Sequence, residues 1–312
     1  MLEIIRDKIF MLALLILIGY IAEKSGYVKN ISGMISKVIT RITLPLLVIT
    51  TLSAQGFDTY TARGAGIAAG MALITIAILL SLGVLTSRLL GLDKKRADVH
   101  ACLSAFGNVM FLGYPLIGAV FGERGIFYAA FYALVNDLTL WTAGILFISR
   151  QSGKGLDLKK LINPNTLSFA IGLIMYFFSI KLTGPLSEAA SSAAAATTPL
   201  SMFFIGSVLA GVNLRSLRKN LVCIVAAVQK MVFAPFLAYL ILAAITAVFH
   251  IEMEAMVIPV IILQVAMPCQ TVFAIIAAEY DSDVEYSAVC IFVTTLLSLF
   301  TLPIVYNLVS KI

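Results

Sequence analysis

Charge is what this sequence has least of. Only 12% of its 312 residues are Asp, Glu, Lys or Arg, about half the share found in a soluble domain. At the same time 61% are hydrophobic, and mean hydropathy is +1.02. That balance excludes an ordinary water-soluble enzyme and leaves a polytopic, all-α membrane protein. Histidine is scarce as well. His100 and His250 stand at the edges of apolar blocks, without a His or carboxylate partner at metal-ligand spacing, and read as interfacial. Cys102, Cys223, Cys269 and Cys290 lie inside apolar blocks with no Cys-x-x-Cys pair, so they read as small core residues. No metal site and no cofactor is expected. The phosphate-binding pattern Gly-x-x-x-x-Gly-Lys-Ser/Thr is missing, which argues against direct ATP drive. The net charge of +6 is scattered between apolar blocks instead of forming a basic stripe. It suits lipid headgroups and excludes nucleic acid as a partner.

What the chain does have is apolar length. A spanning helix needs about 20 apolar residues, and charge-poor runs cover 9–22, 42–57, 64–87, 99–122, 125–149, 161–180, 189–214, 220–251, 255–278 and 286–310. The first two are short and must recruit flanking residues. The first follows Arg6 and Lys8 like a signal-peptide core, but nine further runs favour a retained helix. Ten crossings are therefore expected. Basic residues set the orientation: with the amino terminus outside, thirteen Lys and Arg fall in inner loops against six in outer ones. Both termini are expected outside, with acidic Glu279 to Glu285 forming an inner loop. Lys37 and Arg41 read as side chains snorkelling to the inner surface.

The second half echoes the first. Thr43-Leu44-Pro45-Leu46 is matched by Thr197-Thr198-Pro199-Leu200 at an offset of 154, and Pro115 by Pro268 at 153. Glu123 and Glu279, each following one of these proline-bearing runs, differ by 156. Five helices per half is an odd number, so the repeat over 161–312 enters the membrane opposite to that over 1–150. Inverted repeats are a recurring plan of secondary transporters.

The fourth and ninth runs carry the irregularities. One reads Gly107-Asn108-Val109-Met110-Phe111-Leu112-Gly113-Tyr114-Pro115, the other Gln264-Val265-Ala266-Met267-Pro268-Cys269-Gln270-Thr271. Proline removes a backbone donor and crowds the preceding turn. Both helices are therefore expected to be non-helical over 107–115 and 266–271 and to cross near the bilayer centre. Backbone groups freed at that depth need neighbours, water or a ligand. Asn108, Tyr114, Pro115, Gln264, Pro268, Gln270 and Thr271 are the expected substrate-binding residues.

Over the Leu44 to Leu46, Asn108 to Pro115 and Pro268 to Thr271 segments the chain resembles the auxin efflux carrier family, which includes plant PIN auxin exporters and bacterial malate and malonate permeases. The resemblance covers essentially the whole chain. It implies a scaffold domain from the first, second, sixth and seventh helices, a transport domain from helices three to five and eight to ten, crossover helices four and nine, an elevator-type motion and a homodimer. The long hydrophilic central loop of the plant exporters is absent, since only Arg150 to Lys160 separates the halves. That points to a prokaryotic member in the plasma (inner) membrane.

Two charges stand inside apolar runs. Asp137 is 13 residues from both Arg124 and Arg150, and a mid-membrane carboxylate is functional by default. With Asn136 before it, it reads as a proton or cation site supporting the substrate site, against a purely structural hydrogen bond. Lys230 lies about 15 Å along its helix from the inner end. It either pairs with Asp137 or snorkels to the inner headgroups. The expected function is secondary transport of a small organic carboxylate anion, with H+ or Na+ coupling left open. An anion channel or a membrane sensor without coupled transport is the alternative. An intramembrane enzyme would need paired Asp residues, a Ser with a base, or a metal cluster, and none is legible.

Overall fold

The computed structural model describes residues 2–28, 31–150, 158–212, 215–250 and 252–309. Lys29, Lys154 and Lys311, used above for orientation, lie outside the described residues. The described residues are helical with no strand beyond one isolated bridge. We number the principal helices α1 Leu2–Lys24, α2 Ser32–Ala54, α3 Thr59–Leu89, α4 Lys94–Ala105, α5 Val109–Ser149, α6 Pro164–Phe177, α7 Gly184–Ala210, α8 Cys223–Phe249, α9 Val257–Val265, α10 Phe273–Glu279 and α11 Val284–Val309.

Local chemistry explains the boundaries. Asp58 starts α3 by accepting from the Thr61 N–H at 3.0 Å, a bond that holds its carboxyl below the usual range. Asp93 caps α4 through the Arg96 N–H at 3.2 Å. Asn163 caps α6 in a reciprocal box with Thr166. Three prolines inside long helices follow wide π turns. The turns Ile39–Thr43, Val109–Gly113 and Gln229–Phe233 end two residues before Pro45, Pro115 and Pro235. A wide turn relieves the clash of a proline ring with the preceding carbonyl and accommodates its missing donor.

Among the described residues, six helices are long and apolar enough to span a membrane: α2, α3, α5, α7, α8 and α11. The shortfall from ten has local causes. The helix α6 is an apolar stretch of 14 residues, and the fourth and ninth runs are each divided by a break. The long α5 is itself interrupted at Gly122 (φ +66°, ψ −162°), at the boundary expected between the fourth and fifth runs. The first two runs do recruit flanking residues, as α1 and α2 show.

Packing falls into two sets. In one, α1 lies along the second half of α7, and α2 packs against α6 and α7. A Cβ at Gly206 would overlap the backbone of Ile16 and Tyr20, so α1 and α7 touch backbone to backbone. In the other, α3 packs on α4 and α5, α8 on α9 and α11, and α4 and α10 on α11, while α5 meets α9. Large apolar side chains such as Leu73, Phe236 and Phe300 point outward and are exposed, as lipid contact requires.

Candidate functional site

The chain leaves helical geometry between α4 and α5, at Phe106, Gly107 and Asn108, and again between α9 and α10. The two breaks meet. Gly107 and Cys269 form an antiparallel bridge; the Asn108 N–H donates to Pro268 O at 2.7 Å and the Gln270 N–H to Phe106 O at 3.2 Å. The Cys269 N–H donates to Thr294 Oγ1 at 3.1 Å, and the Phe106 and Phe273 rings stack at 6.2 Å. Backbone groups freed by one break are thus satisfied largely by the other.

The first break is shorter than the sequence suggested. Residues 109–113 are wound as the π turn, with the Leu112 and Gly113 N–H groups both donating to Asn108 O. Pro115 sits in the first turn of the following α-helix, where a missing N–H costs nothing, so it breaks no helix. Pro268 does lie in the second break, and its carbonyl closes the crossing.

Polar side chains at the crossing are buried and partly unpaired. Neither amide atom of Asn108 has a hydrogen-bond partner, nor do Gln264 Oε1, Gln270 Oε1 or Thr271 Oγ1. All four residues are at most 4% exposed. Gln264 is held at its other end, where Nε2 donates to Ala129 O at 3.2 Å. A buried polar group without a partner costs about 1–3 kcal/mol, so this concentration calls for a polar occupant.

A narrow crevice opens beside the crossing. Tyr114 and Met110 line it from the start of α5, Asp137 from farther along α5, Leu44 from α2, and Asn165 and Thr166 from α6. Asn163 Nδ2 donates to Asp137 Oδ2 at 3.4 Å, so the amino end of α6 is turned toward the carboxylate. Asn136 is buried, with Nδ2 unpartnered. The start of α5 thus runs from a cluster of unpaired donors and acceptors to a crevice, bounded by both packing sets, that holds a buried carboxylate.

The membrane transport protein family matches residues 4–306. The chain belongs to this family. The auxin efflux carrier resemblance read from the sequence is therefore correct. Among similar curated proteins, an uncharacterized transporter of Methanothermobacter thermautotrophicus is 26% identical over 308 residues, 96% of each chain. One from Methanocaldococcus jannaschii is 22% identical over 307 residues, again 96% of each. A Rhizobium meliloti protein, provisionally named a malonate transporter, is 24% identical over 298 residues, 92% of this chain and 90% of its own. The family and these relatives are transporters, not enzymes, and the chain is a multi-pass membrane protein.

Two further sequence expectations fail in this transporter. Lys230 neither snorkels nor pairs with Asp137: it is 1% exposed, and Nζ donates to Ala105 O at 2.7 Å. Its helix runs past the carboxyl end of α4, which offers the ammonium a carbonyl. His100 is not interfacial but fully buried. Its Nδ1 lies 2.7 Å from Tyr286 Oη and its Nε2 3.0 Å from Thr86 Oγ1, partners that a run of apolar spacing does not reveal. The four cysteines are free and buried, as expected.

Other residues went unrecognised. Asn163 and Asn165 belong to an Asn-Pro-Asn-Thr capping sequence that the reading by charge passed over. Thr43 and Thr197, the two threonines that open the matched Pro-Leu segments, are both buried with unpartnered hydroxyls, as is Ser201. Their matched places in the sequence, before Pro45 and Pro199, were a usable signal. Across the two packing sets, Phe111 meets Phe204 at 4.9 Å between ring centroids. Lys160, before α6, bonds Glu279 at 2.5 Å and Tyr280 Oη at 3.4 Å, at the end of α10.

Proposed function

We propose that this transporter is a secondary carrier of small carboxylate anions, built as ten crossings in two inverted five-helix repeats. The observation that carries the reading is the set of unpartnered buried side chains, Asn108, Gln264, Gln270 and Thr271, gathered where two broken helices meet. The amino end of α5 starts at this point, and free N–H groups with the positive end of a helix dipole suit a carboxylate. Asn108 and Thr271 hydrogen-bond the anion, and Tyr114 and Asp137 flank its way out along the crevice. The relative named for malonate makes a short dicarboxylate the first candidate.

In this reading α1, α2, α6 and α7 form the scaffold, and the remaining helices form a transport domain that slides against it in an elevator motion. The packing sets support the division. The thirteen-to-six distribution of basic residues supports a plasma-membrane orientation with both termini outside.

Thermal unfolding of the purified protein with a panel of mono- and dicarboxylates tests the reading. A ligand that binds only the folded form raises the midpoint by mass action. Malonate or a close analogue is expected to raise it, and Asn108→Ala to remove that rise while leaving the ligand-free midpoint close to wild type. If no carboxylate shifts the midpoint, the anion reading fails.

Asp137 is assigned to coupling. Asp137→Asn keeps the size of the side chain and removes its charge change, so uptake into proteoliposomes is expected to lose its dependence on a proton or cation gradient. An Asn variant with the wild-type rate and the same dependence makes Asp137 structural.

A further inference from the structure

Lys230 is a fully enclosed ammonium without a counter-charge. Among the described residues no carboxylate lies within salt-bridge distance of it. Asp98 pairs with Arg150, Asp283 with Arg96, Glu279 with Lys160 and Glu254 with Arg124, and Asp137 accepts from Asn163. Leaving a charge unpaired away from water is costly, so what surrounds Nζ must be unusually favourable to a cation. The structure shows what that is. Nζ donates to Ala105 O, the last residue of α4, at 2.7 Å. It stands at the carboxyl end of a helix broken inside the protein, where terminal carbonyls lack intrahelical donors and the helix dipole is negative.

The approach is close. A Cβ at Gly107 would lie 3.3 Å from both Cε and Nζ of Lys230 and 3.4 Å from Met267 Cβ, so the ammonium lies directly against the first break, where the second one meets it. Lys230 lies beside Gly107 with its Nζ bonded to Ala105 O, whereas the anion site proposed above is made of the unpartnered side chains of Asn108, Gln264, Gln270 and Thr271.

In transporters with discontinuous helices, unwound carbonyls and the carboxyl ends of half-helices are where a coupling cation is held. We propose that the Lys230 ammonium is a covalently attached cation filling such a position, so that the crossing needs no bound sodium there. Removing the side chain back to Cβ opens a site for a monovalent cation or a small alkylammonium. The importance of this for coupling rests on the carrier reading, but the site itself can be tested without any substrate.

The test is thermal unfolding of purified wild type, Lys230→Ala and Lys230→Met, each in choline, sodium and methylammonium chloride at equal ionic strength. Wild type is the reference: its midpoint in each salt, including any effect of a cation at Asp137, is subtracted from those of the variants. Lys230→Ala is expected to have a lower midpoint in choline and to regain at least half of the loss, saturably, in sodium or methylammonium. Lys230→Met is expected to lose stability and regain nothing, because its thioether chain fills the space. If Lys230→Ala yields folded protein only when prepared in sodium or methylammonium, the proposal is supported in the same way. The proposal is overturned if neither cation restores Lys230→Ala, or if Lys230→Met is restored equally. Because no carboxylate is present, failure here leaves the anion reading standing, and failure of the anion reading leaves this result interpretable.

Discussion

Gly113→Ala is expected to weaken carboxylate binding at least tenfold, roughly 1.4 kcal/mol, while the protein stays folded. A Cβ at residue 113 would overlap Gln264 Oε1, with the rest of that amide at 3.3–3.5 Å and no backbone atom among its nearest neighbours. The atom that must yield is therefore the end of a flexible side chain. Alanine in a helix also gains up to about 1 kcal/mol over glycine, which offsets part of the strain. Gln264 is tied to Ala129 O through Nε2, so displacing Oε1 strains that bond and re-aims the amide. The expected signature is a small change in ligand-free midpoint beside a large loss of the ligand-induced rise. Unchanged binding would take Gln264 out of the site.

Uptake is expected to fall to background when position 160 is tied to position 279. The Lys160–Glu279 pair joins the segment ahead of α6 to the end of α10, hence scaffold to transport domain in the proposed division. Both side chains are partly exposed, Glu279 by 51%. Such pairs are worth about 0–1 kcal/mol, weak enough to open in every cycle. A covalent link is not. In the double variant Lys160→Cys, Glu279→Cys, a bifunctional thiol reagent forming disulfides should stop uptake, and reductant should restore it. The four native thiols are buried, so they do not compete for the reagent. Cross-linked protein that still carries substrate at the unlinked rate would show that the two sets do not separate on this face.

The legible part of this fold is the part set by the bilayer. Runs of apolar length and their charged borders located the helices, because each side chain answers to lipid or water one residue at a time. The crossing was legible for a related reason: each of two apolar runs carries a proline, 153 residues apart, close to where the helix breaks. Its inner boundaries were not, because the same residue type acts differently by position. Pro268 stands in a break, whereas Pro115 lies in a first turn that tolerates it. Lys230 was misread because its partner is a backbone carbonyl, and a carbonyl has no letter in the sequence. His100 was misplaced for a similar reason. Its partners Tyr286 and Thr86 lie 186 and 14 residues away, and spacing along one helix carries no trace of either.

The shortness of α6 reaches beyond the protein. Its 14 residues rise about 21 Å, against a hydrocarbon core of about 30 Å. Its first turn meets Asp137, well inside the span of α5. A bilayer meeting the exposed Leu167, Ile174 and Phe177 of α6 is expected to thin along that flank, drawing headgroups and hydration inward. On that account the annular lipid takes part in the working of the transporter, and acyl-chain length is expected to act on the surroundings of Asp137 without any change in the protein.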